Sequence, residues 1–366
     1  MEFLRVTYRL DGDPAETLAR AEAIAFEQTV EVPRAVAMRE PFIAREIVGR
    51  VELIERGPDG SHCATIAFPV ATTALDPAQL LGVLFGNSSL HADVRCVDFD
   101  PPPSLCEALS GPRAGIAGLR EITGIRDRAL TCTAVKPMGR SPEQLADLLR
   151  VFARAGIDVI KDDQGLADHE FCRFEPRVEA CLAAAEQVAD ETGRRALYVP
   201  NLIGTPERVF AQLRFAEKRG ARAVMVSPML LGLPTFWELC HRRASVAVLA
   251  HPSHAGALRY APELLFGKLL RLYGADAVIF VGYAGRFGTP RVTCAAIAAN
   301  LRGAWHGLVP SLPVPGGGIE LADVPEVVRF YGPDAMLLVG GSLQLEPDKV
   351  LERSRAFAEA VRKASA

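Results

Sequence analysis

The chain has 366 residues, of which 49% are hydrophobic and 23% are charged. A chain of this length corresponds to two average domains or to one large barrel with an appendage, and its composition excludes disordered, fibrous and low-complexity proteins. Lys and Arg number 41 against 44 Asp and Glu, and the resulting net charge of −3 argues against sequence-independent binding to nucleic acid or to an anionic membrane.

The amino-terminal segment does not have the pattern of a secretory signal. Residues 1–12 alternate between apolar and polar side chains and contain no basic region followed by an apolar run. The sequence also contains no run of about 18 uncharged apolar residues, and its eight cysteines show neither a C-x-x-C pair nor zinc-site spacing. We therefore expect a cytoplasmic protein with reduced thiols that binds neither membrane nor nucleic acid.

The first hundred residues alternate between segments typical of strands and segments typical of helices. In chain order the patterns predict strand 3–10, helix 14–26, strand 43–54, strand 63–70 and helix 76–84. We interpret these elements as an amino-terminal α+β domain of the ferredoxin-like type.

Clusters of proline and glycine at 101–103 and 110–112 indicate a linker after this domain. We therefore place the amino-terminal domain at 1–114 and the carboxy-terminal domain at 115–366.

The second part of the chain alternates short apolar runs with amphipathic helices, which is typical of a buried parallel sheet. Eight such runs recur at a mean interval of about 29 residues, close to the roughly 31 expected for a (β/α)8 TIM barrel. A doubly wound open sheet is the alternative, but no G-x-G-x-x-G follows a first strand. The runs end at Lys136, Lys161, Asn201, Ser227, His251, Gly282, Gly316 and Gly340.

The ends of the barrel strands are the candidate catalytic positions, because catalytic groups of TIM barrels come from the carboxyl ends of the strands. Lys136 is a candidate proton carrier or a lysine whose stem covers apolar surface. Strand alternation should place Lys161 and Asp163 on one side, as a structural ion pair or as a carbamylated lysine with a carboxylate that together bind Mg²⁺. His251 could polarise a carbonyl or could serve as a structural hydrogen-bonding group.

Two glycine clusters follow the seventh and eighth runs, where barrels commonly bind phosphate with backbone N–H groups. The first contains Gly317 and Gly318, and the second contains Gly340 and Gly341. Tight turns are the alternative explanation for these glycines. Arg286, after the sixth run, could close over the same anion or could be a solvated loop charge.

The order of these motifs resembles the large subunit of ribulose-bisphosphate carboxylase (Rubisco) and, more closely, the Rubisco-like proteins that share its fold without fixing carbon dioxide. The resemblance covers nearly the whole chain. It rests on six segments that occur in the family's order: 26–29, 85–87, 134–137, 160–163, 315–319 and 338–341.

The resemblance implies roles for individual residues. Lys161 corresponds to the lysine that is carbamylated, with Asp163 and Gln164 at the positions of the other magnesium ligands. Lys136 corresponds to the enolising base or a proton-shuttling neighbour, and His251 to a histidine that contacts the substrate. The remaining implied residues are the phosphate-binding Gly317, Gly318, Gly340 and Gly341, together with Glu27 and Asn87, which would reach the active site of a partner subunit in a homodimer.

Departures from the family pattern narrow the expected activity. Met138 replaces a second lysine of the first motif, and Arg286 takes the place of the lysine of the mobile loop, so the chain should not be a carboxylase. Gln164 stands where a carboxylate ligand is usual, which should weaken magnesium binding. Asn87 follows the Phe-Gly after which the Rubisco-like diketo-methylthiopentyl-phosphate enolases carry a lysine base, so that activity is disfavoured too.

The remaining chemistry is abstraction of a proton next to a carbonyl of a sugar phosphate. The segment 161–168 most resembles the Rubisco-like branch that isomerises 5-methylthioribulose 1-phosphate in methylthioadenosine salvage, and Met138 or Phe287 could contact the thiomethyl group. One alternative is a decarboxylase or hydrolase of 3-oxo-isoapionate 4-phosphate. The other is a noncatalytic phosphosugar-binding protein, which the loss of a carboxylate at Gln164 would favour.

Overall fold

The computed structural model describes residues 2–57 and 61–365, and its amino-terminal part is a four-stranded antiparallel sheet with helices. The strand order is β2-β3-β1-β4, which is that of a ferredoxin-like fold and confirms the prediction. In chain order the elements are β1 (Phe3–Leu10), α1 (Thr17–Glu27), α2 (Arg34–Ala37), β2 (Arg50–Arg56), β3 (His62–Pro69), α3 (Pro77–Phe85) and β4 (Val94–Asp100).

The alternation of polarity in β1 explains which face of this strand is buried. Leu4, Val6, Tyr8 and Leu10 are all buried, with at most 2% of their surface exposed, while the residues between them are less buried. A side-chain period of two puts these four residues on one face of the strand, against the helices. The sequence pattern of β1 therefore determines which of its faces packs against the helices.

The strand predicted over 43–54 is wrong in its first half. Residues Ile43–Ile47 form one turn of π-helix, and the strand begins only at Arg50. Ile43 and Ile47 are four residues apart, so they share one face of a helical turn as well as they would share one face of a strand. Between the two elements the chain passes so close to Phe68 that a Cβ on Gly49 would lie 2.8 Å from its ring.

The segment predicted as a linker contains a helix. It consists of α4 (Pro103–Leu109), and α5 (Gly115–Thr123) follows shortly after. Pro103 occupies the first turn of α4, where its missing N–H costs no intrahelical hydrogen bond. The proline cluster therefore starts a helix.

The carboxy-terminal part is a barrel of parallel strands surrounded by helices, as predicted. Its strands are β5 (Leu130–Val135), β6 (Val159–Asp162), β7 (Leu197–Val199), β8 (Asn201–Leu202), β9 (Ala223–Val226), β10 (Ala247–Ala250), β11 (Ala277–Val281), β12 (Leu312–Gly316) and β13 (Met336–Leu338). Its helices are α6 (Pro142–Arg154), α7 (Phe174–Thr192), α8 (Pro206–Lys218), α9 (Pro228–Leu231), α10 (Leu233–Arg242), α11 (Pro262–Leu264), α12 (Leu270–Leu272), α13 (Arg291–Arg302), α14 (Val324–Tyr331) and α15 (Val350–Ser365).

The strands follow one another around the barrel in chain order. One run pairs as β13-β5-β6-β7 and the other as β12-β11-β10-β9-β8. β7 and β8 are the two halves of the third barrel strand, separated by Pro200, whose carbonyl accepts a hydrogen bond from the Met225 amide at 2.9 Å. β12 lies against β13, because a Cβ on Gly316 would be 3.1 Å from the Cβ of Leu338. The barrel is therefore closed and has eight strands.

Side chains that point into the barrel fill it below its carboxyl-terminal mouth. They form a separate buried cluster that includes Leu130, Cys132, Val159, Leu249 and Met336. Continuing the same alternation towards the mouth brings Lys136, Lys161 and His251 to the inner side of their strand ends. Among the described residues, no helix is both long and apolar enough to cross a membrane.

Candidate active site

A cavity of about 590 Å³ lies at the carboxyl-terminal mouth of the barrel. It is bounded by the ends of the first, second, fifth, sixth, seventh and eighth barrel strands and by the loops that follow them. Eleven of the fourteen residues that the sequence singled out line this cavity: Lys136, Lys161, Asp163, Gln164, His251, Arg286, Phe287, Gly317, Gly318, Gly340 and Gly341.

The end of β6 separates three consecutive charged residues onto two sides of the barrel wall. Lys161 and Asp163 line the cavity, whereas Asp162 points outwards and is completely buried. Asp162 accepts hydrogen bonds from Arg177 at 3.0 Å and from the Tyr198 hydroxyl at 2.8 Å. Asp162 is thus a structural anion that anchors the strand end, and Asp163 remains available to the cavity.

Lys161 is a buried lysine, with 2% of its surface exposed. Its Nζ donates a hydrogen bond to the Asp162 carbonyl at 3.0 Å. Burial lowers the pKa of Lys161 because the charged form loses its hydration, and Lys136 lowers it further by repulsion, although Cys132, Asp163 and Asp162 act in the opposite direction. The neutral amine, which is the nucleophilic form, is therefore more accessible here than at an exposed lysine.

Lys136 follows β5 and lies at the mouth between the ends of the two neighbouring strands, β6 and β13. Its Nζ lies 3.4 Å from Asp163 Oδ1, and a Cβ on Gly340 would be only 3.6 Å from the same Nζ. The lysine thus bridges the second-strand carboxylate and the glycine loop after the eighth strand. About a third of its side-chain surface is exposed, which leaves it accessible to a ligand in the cavity.

His251 follows β10 and is oriented by the residue two positions later. Its Nδ1 accepts a hydrogen bond from the Ser253 amide at 3.2 Å and lies 3.0 Å from the Ser253 hydroxyl. An Nδ1 that accepts from an amide carries no proton, so the proton of the neutral ring is on Nε2. Burial, together with repulsion by the nearby Lys161 and Lys136, lowers the pKa of His251 to about 3. The ring is therefore a neutral donor through Nε2.

The loops after the sixth and seventh strands are joined by backbone contacts. The Arg286 amide donates to the Gly317 carbonyl at 3.1 Å. Gly317 and Gly318 have φ values of +94° and +120°, and a Cβ on Gly318 would lie 3.0 Å from the Arg286 nitrogen. Only glycine adopts these conformations without strain, and it leaves room for the backbone to approach an anion.

An apolar wall stands beside these polar groups. The Arg286 guanidinium lies 5.0 Å from the centroid of the Phe287 ring, and that ring is 60% exposed. Ile279, Val281, Ile319 and Leu338 also line the cavity. Met138 is not among the lining residues; its methyl group would be 3.0 Å from a Cβ on Gly165, next to Gln164.

Glu27 and Asn87 are not among the residues that line the cavity. Asn87 Nδ2 donates to Glu27 Oε1 at 2.9 Å, so the two predicted residues lie together on the amino-terminal domain. Glu27 lines a separate groove of about 480 Å³ with Phe26 and Val32. Their assignment to the active site of a partner subunit remains a prediction.

Sequence reasoning missed residues that support the site. Ser253 orients His251, and a serine two positions after a strand-end histidine was the available signal. Ser342 donates from its hydroxyl to the Ile319 carbonyl at 3.2 Å and so connects the two glycine loops. The side-chain amide of Asn201 donates a hydrogen bond to the backbone carbonyl of Gln164 at 3.0 Å and fixes the segment after β6. The spacing of these residues in the sequence does not reveal this contact.

The polar residues near Lys161 form an incomplete metal site in their unmodified state. No group of three His, Cys, Asp or Glu side chains in residues 2–57 and 61–365 could hold a metal ion. Asp163 supplies one carboxylate and Gln164 one amide oxygen at the cavity wall. A carbamate on Lys161 would add the missing anionic oxygen, and the donor set would then be the all-oxygen type that Mg²⁺ prefers. The residues present therefore fit Mg²⁺ only together with that modification.

Residues 115–364 match the model of the catalytic domain of the ribulose bisphosphate carboxylase large chain. This chain belongs to the Rubisco large-chain family. A Rubisco-like protein of Rhodopseudomonas palustris is 45% identical over 97% of this chain and 96% of that protein. A 5-methylthioribulose-1-phosphate isomerase of Rhodospirillum rubrum is 44% identical over 98% of this chain and 96% of its own length.

A more distant relative has a different name. A 2,3-diketo-5-methylthiopentyl-1-phosphate enolase of Geobacillus thermodenitrificans is 33% identical over 99% of this chain and 92% of its own length. The crystal structure of a Rubisco-like protein from Rhodopseudomonas palustris superposes with a TM-score of 0.91 at 38% identity, over 99% of this chain and 98% of that one. The chain is therefore a Rubisco-like protein. Its relatives with named activities, an isomerase and an enolase, indicate that it is an enzyme of the enolase-type class.

Proposed function

We propose that this Rubisco-like protein is a 5-methylthioribulose-1-phosphate isomerase. The observation that carries the proposal is that Lys136, Asp163 and Lys161 line the same cavity as two glycine loops. This arrangement suits a phosphorylated sugar whose phosphate contacts backbone amides while its carbonyl end faces the lysines. The isomerase of Rhodospirillum rubrum, at 44% identity, supports this choice over the more distant enolases.

The proposed reaction moves a proton between carbons of the sugar. The neutral Lys136 amine removes a proton from the carbon next to the carbonyl, and the electron pair of that C–H bond shifts to the carbonyl oxygen to give an enediolate. His251, which is held as an Nε2 donor, hydrogen-bonds to this oxygen. The hydroxyl proton on the carbon that lost its hydrogen then passes to the enediolate oxygen, and Lys136 returns the abstracted proton to the former carbonyl carbon. The carbonyl group thereby moves to the neighbouring carbon, and the net change is isomerisation without oxidation or loss of a group.

Lys161, Asp163 and Gln164 would hold Mg²⁺ in this proposal. The neutral Lys161 amine reacts with carbon dioxide to form a carbamate and releases one proton. When bound, the ion supplies positive charge that stabilises the developing oxyanion. Gln164 brings no negative charge to this set, so we expect weaker magnesium binding than with a carboxylate at the same position.

The two ends of the substrate would be recognised by different surfaces. Gly317, Gly318, Gly340 and Gly341 present backbone N–H groups to the phosphate, with Arg286 beside them. The apolar side chain of Met138, beside Gly165, suits the thiomethyl group at the other end, whereas the Phe287 ring lies beside Arg286 and Gly317 at the phosphate end. Both side chains are about half exposed or more, so a ligand that covers them gains apolar burial.

The experiment is to incubate the purified protein with 5-methylthioribulose 1-phosphate and Mg²⁺ in heavy water and to follow the sugar by NMR. Formation of an isomer that contains solvent deuterium, without release of carbon dioxide, supports the proposal. Release of carbon dioxide from 3-oxo-isoapionate 4-phosphate would instead support the decarboxylase. Binding of both sugar phosphates without deuterium incorporation would identify a noncatalytic binding protein.

A further inference from the structure

The loop after the sixth barrel strand brings Arg286 and Phe287 to the cavity, and both of its ends are attached to one carboxylate. Glu326, on α14, uses Oε2 to accept a hydrogen bond from the Tyr283 hydroxyl at the start of the loop. Its other oxygen, Oε1, lies 2.6 Å from Nη1 of Arg291, where the loop ends and α13 begins. A single side chain therefore restrains the two ends of segment 283–291.

Aromatic packing reinforces this arrangement. The Arg291 guanidinium lies 4.3 Å from the centroid of the Tyr283 ring and 4.8 Å from that of Phe330. The two rings are themselves 4.8 Å apart at an interplanar angle of 66°. The hydrogen bond from Tyr283 and, next, that from Arg291 lower the pKa of Glu326, so the carboxylate is the favoured form. One packed cluster therefore joins the loop to the helices α13 and α14, and its four side chains are those of Tyr283, Arg291, Glu326 and Phe330.

The middle of the loop has few other attachments. The Arg286 amide donates to the Gly317 carbonyl, and the Gly288 amide donates to the Gly285 carbonyl within the loop. Among the described residues, the Arg286 side chain has no hydrogen-bond or ion-pair partner; its guanidinium lies over the ring of Phe287, and its Cβ and Cγ lie beside Gly318. The position of this guanidinium therefore depends on the backbone of the loop, whose ends Glu326 restrains.

We infer that Glu326, with Tyr283 and Arg291, is a positioning group that holds Arg286 in place for the phosphate of the ligand. This inference rests on the proposed phosphate site, but it assigns a role to residues that lie outside the cavity. Glu326 lies on α14, the helix that follows the Gly317–Gly318 loop. Through Glu326, the segment 283–291 is held to the same helix, and these are the two loops that would contact the same anion. The carboxylate acts through the loop and touches neither the ligand nor the reacting atoms.

The experiment measures inorganic phosphate binding by calorimetry for Glu326→Ala, Tyr283→Phe and Arg286→Gln. We expect Glu326→Ala and Tyr283→Phe to weaken phosphate binding about fivefold, and Glu326→Ala to cause no further loss in the Arg286→Gln background, because coupled residues are not additive. The matched control is Glu191→Ala, which removes a surface ion pair of 2.9 Å with Arg154 at similar exposure. The control should bind phosphate as the unchanged protein does.

A second measurement does not depend on any ligand. Hydrogen exchange followed by mass spectrometry should show faster exchange of amides 284–289 in Glu326→Ala and Tyr283→Phe, with unchanged exchange elsewhere in the barrel. Equal weakening of phosphate binding by Glu326→Ala with and without Arg286 would overturn the inference, as would unaltered exchange of the loop. If the unchanged protein binds no phosphate, the proposed function fails while hydrogen exchange still decides the role of Glu326. Tyr283→Phe serves if Glu326→Ala does not fold.

Discussion

Lys136 and Asp163, at the ends of the neighbouring strands β5 and β6, lie side by side at the mouth of the barrel with 3.4 Å between Nζ and Oδ1. The carboxylate orients the lysine side chain, and the partly exposed amine stays accessible to a ligand. This pair is therefore suited to reversible proton transfer at a carbon held in the cavity.

Replacement of Lys136 by Met should remove the base and leave the fold intact. We expect the isomerisation rate to fall by about three orders of magnitude, because a positioned general base contributes about 10²–10⁴-fold. The thermal unfolding midpoint should change little. The control is Lys363→Met, since Lys363 is an exposed lysine on α15 that pairs with Glu359 and does not line the cavity. Full turnover by a folded Lys136→Met protein would show that another group removes the proton.

Replacement of Gln164 by Glu should tighten Mg²⁺ binding. It restores a negative oxygen ligand beside Asp163, and a gain of about tenfold in affinity is expected from the added charge. The measurement is magnesium titration in bicarbonate buffer, so that Lys161 can form its carbamate. The matched variant is Gln187→Glu, on the exposed face of α7. If Gln164→Glu and Gln187→Glu bind Mg²⁺ equally, residue 164 is not a ligand.

The positions of the site residues around the barrel could be predicted because each strand is a continuous apolar run with a polar residue or glycine at its end. Lys136, Lys161 and His251 end three such runs, and the closed parallel barrel brings these ends to one mouth. The opposite orientations of Asp162 and Asp163 also followed from the two-residue period of a strand. This part of the site follows from local sequence, because each apolar run predicts a strand and the residue at its end predicts a position at the mouth.

Other contacts depend on residues that are distant in the sequence. Tyr283 and Glu326 are 43 positions apart, and nothing in either segment indicates that they meet. The π-helical turn Ile43–Ile47 was missed because a short apolar pattern fits a strand and a helical turn equally well. Such features are decided by tertiary packing, as the close approach of Gly49 to Phe68 illustrates.

His251 should make the stability of the protein depend on pH. Its folded-state pKa of about 3 lies below the ordinary value of 6.5, so the unfolded chain binds the proton first as the pH falls. Stability is therefore lost between pH 6.5 and pH 3. Between about pH 7 and about pH 5, the titration of His251 should lower the free energy of unfolding by about 2 kcal/mol.

The measurement is urea unfolding at both pH values for the unchanged protein and for His251→Asn. The variant should lose about 2 kcal/mol less on acidification, because Asn does not titrate. His241→Asn is the control, since His241 lies on α10 outside the cavity. An identical pH dependence for the unchanged protein and His251→Asn would mean that His251 is not held neutral.

Replacement of Gly318 by Ala should weaken phosphate binding by about tenfold or more. At φ +120° an alanine is strained, and its Cβ would be 3.0 Å from the Arg286 nitrogen, so the two loops must separate. The matched control is Gly220→Ala, at φ +86° with no atom within 4 Å of the added Cβ. Both variants should lose about 1 kcal/mol of stability, but only Gly318→Ala should lose phosphate affinity in a calorimetric titration. Equal affinity in both would place the anion elsewhere.

Glu27 should complete the active site of a partner subunit. It lines a groove with Phe26 and Val32, and the following segment exposes Val36, Met38 and Phe42 by 47%, 47% and 64%, an apolar surface that a second copy of the chain would cover. Glu27→Ala and Lys136→Met should each be inactive alone, because one lacks the contributed residue and the other lacks the base.

Co-expression of these two variants should restore activity. In a mixed homodimer one of the two sites combines an unchanged barrel with an unchanged Glu27, so random pairing gives about a quarter of full activity. Lys136→Met mixed with Lys161→Ala is the control, because both changes lie in the barrel and neither mixed site is intact. Recovery in the first mixture alone would establish a shared site. Equal inactivity of both mixtures would mean that Glu27 does not act across subunits.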